Sequence, residues 1–390
     1  MRAALCALLV VVVSSVAAQP RADVPVPVQL ESKVLSETRT ILVRTPASYA
    51  RGARAYPVLY MTDGDRQIGH TAAVVDFLTR EGRLPEVIIV GITNTDRTRD
   101  LTPTKVEAMG GNGQRFATPT SGGGDRFLDF ISSEVIPYVE KNYRTQPYRV
   151  FAGHSFGGLF ALHAFFTRPG LFNGVIAVSP TLTWDERYVY RRASEWVKKP
   201  LDRPTTLVVS VGNEGAELDR EFDALKTLLK KSGPKTLEFE AVRFADEDHG
   251  SVVLPTHYAG LRKVFEPFRF ALGPASEDPK KLHARVREHY AKASSRIGFT
   301  LPVPEPIANA VGYRLLQAGH VQDAIEVFRA NAETWPESAN VYDSLGEAQE
   351  RAGVLDQALA SYRRAAEIGK TTADPNLPVY ERNAERLAKR

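Results

Sequence analysis

The chain has 390 residues, 43% hydrophobic and 25% charged, which allows a core of ordinary size and excludes fibrous and disordered classes. That length favours two domains over one. The net charge of +4 comes from 50 basic and 46 acidic residues with no basic block, so it argues for solubility and against a nucleic-acid surface.

Residues 1–18 read as a secretory signal peptide. Arg2 supplies the positive start, Ala3 to Val13 an apolar run, and Val16-Ala17-Ala18 small residues for cleavage. The run is too short for a permanent membrane helix, and no other stretch is apolar enough for one. Export to the periplasm or medium is the expectation. The single cysteine, Cys6, lies in this segment, so the mature chain would owe nothing to disulfides.

From residue 24 to 272 strand-like and helix-like patterns alternate. Strands are expected at 40–44, 58–62, 87–92, 149–152, 174–178, 206–211 and 237–244, several of them short continuous β-branched runs. Helical patterns fall between them at 71–80, 126–142, 157–167, 217–231 and 255–270. Strands and helices taking turns predict an α/β-hydrolase type of fold, a mostly parallel central sheet with helices on both faces. One Gly-, Thr-, Asn- and Arg-rich stretch, 93–124, interrupts the alternation and reads as an irregular, substrate-facing loop after a strand's carboxyl end.

Beyond residue 272 the character changes. Residues 273–306 read as a charged helical connector ending in a Pro-rich run. Within 307–390, Gly312 matches Gly346, Gly319 matches Gly353, Ala324 matches Ala358 and Phe328 matches Tyr362, all at an offset of 34 residues. Paired helices with a Gly-bearing turn at this period are the tetratricopeptide pattern, with 377–390 expected as a capping helix. Such a tail suggests a protein partner.

The most informative residues are Ala152-Gly153-His154-Ser155-Phe156-Gly157-Gly158, between a predicted strand and a predicted helix. A G-x-S-x-G sequence at such a junction is a nucleophile elbow, in which a tight turn lifts the serine hydroxyl clear of the sheet. The helix that follows turns its N-terminal dipole toward developing negative charge.

An elbow serine needs an imidazole, and in this fold the order along the chain is serine, acid, histidine. Of eight histidines, His70 comes too early, His154 and His163 lie on the elbow and its helix, and His283, His289 and His320 fall in the connector or repeats. His249, on a polar loop after the last strand, is favoured over His257 in the following helix. Glu214 is the first carboxylate beyond the strand at 206–211, ahead of Glu217, Asp219 and Asp248. Two backbone N–H groups should form an oxyanion hole: that of Phe156, and that of Gly64 or Asp65 on the turn after the strand at 58–62. Asp63 and Asp65 are expected to brace that turn rather than to do chemistry.

With these pieces in hand, residues 26–272 resemble the esterase family that includes enterochelin esterases, esterase D and the mycobacterial mycolyltransferases. The resemblance rests on Tyr60-Met61-Thr62-Asp63-Gly64-Asp65, on 91–103, on the elbow, on Ser179-Pro180-Thr181-Leu182-Thr183-Trp184-Asp185 and on Asp248-His249-Gly250. It implies Ser155 as nucleophile and His249 as base, and Glu214 falls where members carry Asp or Glu. Arg97, Arg99 and Trp184 are expected substrate contacts, the arginines for anionic or catecholate oxygens unless they pair with Asp96 or Asp100. The function expected is hydrolysis of a small ester, by analogy a siderophore ester, through an acyl-serine and without metal or cofactor. Two other readings are a non-catalytic adaptor that binds through the tail and an acyltransferase on the same fold.

Overall fold

The computed structural model describes residues 24–390 apart from 51, 53, 112 and 113. The expected signal peptide and Cys6 lie outside the described residues.

Ten strands are described: β1 (Val26–Ser32), β2 (Glu37–Arg44), β3 (Tyr56–Met61), β4 (Ile88–Ile92), β5 (Ala108–Gly111), β6 (Gln114–Ala117), β7 (Thr145–His154), β8 (Gly174–Val178), β9 (Thr205–Val211) and β10 (Leu237–Arg243). Eight of them form one sheet in the order β1-β2-β4-β3-β7-β8-β9-β10, while β5 and β6 make a separate hairpin. The β1–β2 and β2–β4 pairs are antiparallel and the remaining pairs of the large sheet are parallel. Every residue of β3, β4, β8 and β9 is buried, as continuous apolar strands require when both faces are covered.

Successive side chains of these strands feed two cores. Tyr60, Val90, Phe151 and Val175 enter one, and Leu59, Ile89, Val150 and Ile176 the other. The helices of this region are α1 (Gly64–Arg80), α2 (Arg97–Leu101), α3 (Gly124–Phe130), α4 (Ile136–Asn142), α5 (Phe156–Thr167), α6 (Trp184–Trp196), α7 (Ala216–Ser232) and α8 (Val253–Val264). Phe127 of α3, Phe160 of α5, Val189 of α6 and Leu225 of α7 cover the first face; Val75 of α1 and Leu261 of α8 cover the second. Helix α5 is buried at every position from Gly157 to Phe166, which is why its sequence is apolar all round.

Five elements differ from the sequence-based expectation. Edge strand β1 has an exposed-to-buried alternation too weak to read as a buried strand. The stretch at 93–124 is not irregular: it holds α2 and the β5–β6 hairpin. Helix α2 is only five residues long and is started by the Asp96 side chain, which accepts from the Arg99 N–H at 2.9 Å. Helix α6 has no counterpart among the expected helices: Asp185, Glu186 and Arg187 at its start have positive φ values of 42°, 49° and 68°, a left-handed turn without glycine that no residue type there announces.

The C-terminal part is entirely α-helical: α9 (Pro279–Ile297), α10 (Glu305–Gln317), α11 (Val321–Thr334), α12 (Ala339–Arg351), α13 (Leu355–Thr372) and α14 (Leu377–Ala388). Gly312 of α10 lies against the Phe328 ring of α11, and Gly346 of α12 against the Tyr362 ring of α13; a Cβ at either would come within 2.5 and 2.7 Å of that ring. The second core continues without a break from the sheet into Val286, Tyr290, Val311, Phe328 and Trp335. Arg54 lies 4.7 Å over the Trp335 ring, and Arg296 pairs with Glu238 of β10 at 2.6 Å. Among the described residues no helix is long and apolar enough to cross a membrane.

Candidate active site

At the end of β7 the chain turns into α5 through Ser155, whose backbone is held at φ 62° and ψ −116°. Such a conformation costs a non-glycine residue about 1–3 kcal/mol and persists only where the surroundings impose it. Two glycines make room. A Cβ on Gly153 would lie 2.1 Å from the Gly157 carbonyl oxygen, and one on Gly157 would lie 2.3 Å from Thr62 Oγ1. The first intrahelical bond of α5 runs from the Leu159 N–H to the Ser155 carbonyl at 2.9 Å. The N–H groups at the start of the helix therefore have no intrahelical acceptor.

Ser155 Oγ lies 3.0 Å from His249 Nε2, and His249 Nδ1 lies 2.5 Å from Glu214 Oε2. With the carboxylate accepting from Nδ1–H, Nε2 turns its lone pair toward the serine hydroxyl. Glu214 sits on the turn after β9, its carboxylate one-tenth exposed. Burial would raise its pKa, but hydrogen bonds from His249, Ser179 and the Gly212 N–H outweigh this and hold it below the usual carboxylate range. The rivals are occupied elsewhere. Asp219 pairs with Arg243, and Asp248 accepts from the N–H groups of Gly250 and Ser251, both at 2.8 Å, folding its own loop. Glu217 lines the cleft from the first turn of α7 without reaching the imidazole. His257 is 2% exposed, bonded to Thr71 Oγ1 at 3.0 Å and stacked on His70. Burial first, and then His70 and His154, push its pKa down to about 3.

Two further residues belong to this network and were not picked from the sequence. Ser179, fully buried after β8 with φ 41°, donates from Oγ to Glu214 Oε1 and lies 3.3 Å from His249 Nδ1. His154, passed over as base because it lies on the elbow, stands with its ring 4.7 Å from that of His249, and its Nε2 lies 2.7 Å from the His249 carbonyl oxygen. No sequence pattern signals either contact, because each joins chain ends of different strands.

Beside the elbow, α1 begins at Gly64 directly after Asp63, which is left-handed at φ 53° and ψ 39°. The N–H groups of Arg66 and Gln67 already bond the Asp63 carbonyl, whereas those of Gly64 and Asp65 are the free first donors of this helix. Gly64 is forced by contact: a Cβ there would lie 2.4 Å from the Gly91 carbonyl carbon. Asp63, 3% exposed, accepts from Asn94 Nδ2 at 2.7 Å and from Arg97 Nε at 2.6 Å, while the Asp65 side chain faces solvent.

The expected substrate contacts are placed differently. Arg97 is committed to Asp63 and to the His154 carbonyl at 3.2 Å, and lies over the Phe156 ring. Arg99 pairs with Asp100 and Glu37, both at 2.7 Å, and buried Arg39 joins Asp100 at 2.6 Å, which ties α2 to β2. Trp184 does not face the substrate cleft. It is 1% exposed, is absent from the cleft lining, donates to Thr104 Oγ1 at 2.9 Å and meets the Phe156 ring edge-on, so its indole is used up in packing.

The cleft over Ser155 has a volume of about 980 Å³. Its floor is Ser155, Phe156, Ser179 and His249, and Met109 and Phe116 of the hairpin form its far wall. These two are cross-strand partners, and Phe116 is 53% exposed. A smaller cavity of about 440 Å³ lies between the sheet domain and the tail, lined by Tyr56, Phe268, Tyr290 and Trp335, and contains none of these groups.

Comparison with known proteins places the chain among esterases. Residues 32–261 match the family described as “Putative esterase”. Over 266 residues the chain is 28% identical to the ferri-bacillibactin esterase BesA of Bacillus subtilis, covering 63% of this chain and 88% of that one. Among solved structures it resembles an IroE-like serine hydrolase from Shewanella oneidensis, with 30% identity, a TM-score of 0.67, and coverage of 79% and 98%. A protein from Capnocytophaga ochracea shares the fold over 94% of this chain and 100% of its own, with 15% identity and a TM-score of 0.64, so the likeness extends into the helical tail. The chain belongs to this esterase family and is a serine ester hydrolase on an α/β-hydrolase core, followed by a C-terminal all-α domain.

Proposed function

We propose that Ser155 is the nucleophile, His249 the general base and Glu214 the group that orients it, and that the substrate is a siderophore-type ester. The observation that carries this reading is the unbroken relay Ser155 Oγ–His249 Nε2–Glu214 at 3.0 and 2.5 Å, at the foot of an open cleft. In the first step Ser155 Oγ bonds to the ester carbonyl carbon and its proton passes to His249 Nε2. The oxyanion lies between the Phe156 N–H and that of Gly64 or Asp65, at two helix N-termini whose dipoles favour negative charge. Collapse breaks the bond to the alcohol oxygen, which takes the proton from His249. Water, deprotonated by the same imidazole, then repeats the sequence and releases the acid.

The siderophore assignment draws on the name of the Bacillus relative and on the breadth of the cleft, with the Met109–Phe116 wall suited to a flat ring. The tail, with its two glycine–aromatic pairs 34 residues apart, is read as tetratricopeptide-like and as a protein-binding accessory. The leader over 1–18 directs the enzyme to the periplasm or medium. Purified enzyme is to be offered a catecholate tri-serine lactone and p-nitrophenyl esters, with products identified by mass. Ser155→Ala should abolish turnover and fluorophosphonate labelling. Rapid cleavage of simple esters with the lactone left intact would sink the substrate assignment but not the triad.

A further inference from the structure

The loop that carries His249 is short and polar, and the bonds of its backbone fall on residues other than His249. Asp248 accepts from Gly250 and Ser251, the Asp248 carbonyl accepts from Val252 at 3.1 Å, and the Glu247 carbonyl accepts the Asn213 N–H at 2.6 Å, which ties the loop to the turn after β9. The His249 side chain is half exposed, and its ring is gripped at Nδ1 only by Glu214 and Ser179. Among the described residues, its backbone is tied to the strand of the nucleophile by one hydrogen bond: His154 Nε2 to the His249 carbonyl oxygen at 2.7 Å. A carbonyl only accepts, so Nε2 of His154 carries the hydrogen.

His154 is well placed for this. It is the last residue of β7, adjacent to Ser155, and therefore shares the rigid frame of the nucleophile. Its own carbonyl is held by Arg97 at 3.2 Å, and Arg97 is fixed in turn by Asp63. Burial first, then the neighbouring His249, push its pKa down to about 4, so at neutral pH it is an uncharged donor. An uncharged ring 4.7 Å from His249 also leaves the imidazolium formed during catalysis free of like-charge repulsion.

We infer that His154 is a positioning residue, whose Nε2–H anchors the His249 backbone to the elbow strand and so sets the distance between base and nucleophile. This rests on the serine-esterase reading above. It assigns a role in the chemical step, not in substrate affinity, because His154 does not line the cleft.

Three variants of the full chain separate the donor from the ring. Glutamine carries an N–H donor at about the position of Nε2. Phenylalanine keeps the ring and loses the donor. Asparagine has a donor that falls one bond short. With p-nitrophenyl butyrate, His154→Phe and His154→Asn should each lower kcat roughly 10- to 100-fold, the range expected when reacting groups shift by about an ångström. KM should stay within about twofold, and His154→Gln should return kcat to within about threefold of wild type. Fluorophosphonate labelling of Ser155 should slow in the same ratio, with melting temperatures confirming that each variant is folded. Unchanged kcat in folded His154→Phe, a loss carried by KM, or His154→Gln as slow as His154→Phe would overturn the inference. A wild-type chain inert to both ester and fluorophosphonate would refute the esterase reading itself, and this inference with it.

Discussion

Replacing Glu214 by glutamine tests the site most sharply, because three donors converge on one carboxylate: His249 Nδ1–H, Ser179 Oγ–H and the Gly212 N–H, the last two at the same oxygen. An amide can accept at one oxygen only. If that oxygen faces His249, its NH₂ meets the Gly212 N–H and leaves a buried donor unpaired, costing about 1–3 kcal/mol of stability. If the NH₂ faces His249, Nδ1 must become the acceptor, and Nε2 then carries a hydrogen toward Ser155 and cannot take its proton. In both orientations the charge that stabilises the imidazolium is gone. At charge separations of about 4 Å near a surface that charge is worth up to ~4 kcal/mol, or about three decades in rate. Since His249 is half exposed, solvent screening reduces the figure, and Glu214→Gln should lower kcat by roughly 10²- to 10³-fold.

Glu214→Ala behaves differently. Ser179 Oγ, 3.3 Å from His249 Nδ1 and released from the carboxylate, is free to accept the Nδ1–H and keep the useful tautomer. Glu214→Ala should therefore retain at least as much activity as Glu214→Gln, and adding Ser179→Ala should remove that remainder. Initial rates on p-nitrophenyl butyrate, with folding checked by circular dichroism, decide the order. A Glu214→Gln enzyme with more than about a third of wild-type kcat would refute the assignment of Glu214 as the orienting acid.

Gly157→Ala should abolish turnover, since its Cβ would lie 2.3 Å from Thr62 Oγ1; Thr62→Ala in the same chain should restore part of it, and a double-mutant cycle with no coupling would show the clash to be unimportant. His257 titrates near 3 when folded and near 6.5 when unfolded, so between these values only the unfolded chain gains the proton. Its contribution is therefore complete above pH 6.5 and is lost as pH falls toward 3, at up to about 1.4 kcal/mol per pH unit; urea midpoints from pH 7 to 4 should fall less steeply in His257→Gln, and parallel slopes would contradict this. Truncation after residue 275 spares every residue of the relay but uncovers Val264, Phe265 and Phe268, which share a core with Val286 and Tyr290. The truncated enzyme should keep kcat in its soluble fraction while losing solubility and melting temperature; a soluble, folded truncation without turnover would place the tail in the chemistry.

What the sequence disclosed and what it withheld divide along a physical line. The buried strands are legible because each is a continuous apolar run bounded by turns, and Ser155 is legible because a strained turn demands glycine on either side. His249 and Glu214 could be chosen from chain order, since the strands deliver them to one sheet edge in a set sequence. Ser179 and His154 could not, because their roles depend on where the ends of β7, β8 and β9 stop relative to one another, a register written in no local pattern. The arginines at 97 and 99 divide along the same line. The pairing of Arg99 with Asp100 was open to the sequence as a local alternative to substrate contact, whereas Asp63 and Glu37 reach Arg97 and Arg99 from 34 and 62 residues away and could not be read from it.

These long-range pairs also explain how an open, polar site stays ordered. The sheet supplies strand ends, and charge-assisted bonds secure the pieces around them: α2 is tied to β2 through Arg99–Glu37 and Asp100–Arg39, the Asp63 turn to α2 through Arg97, and the Glu214 carboxylate is held by the Gly212 N–H and the Ser179 hydroxyl. Among the described residues the His249 loop makes no ion pair apart from the relay itself, and its tie to the elbow strand is the neutral hydrogen bond of His154, weaker than the charge-assisted bonds around it. A neutral anchor has one advantage in this position. It holds the loop without adding a second cation beside the imidazole that becomes cationic in the proposed mechanism.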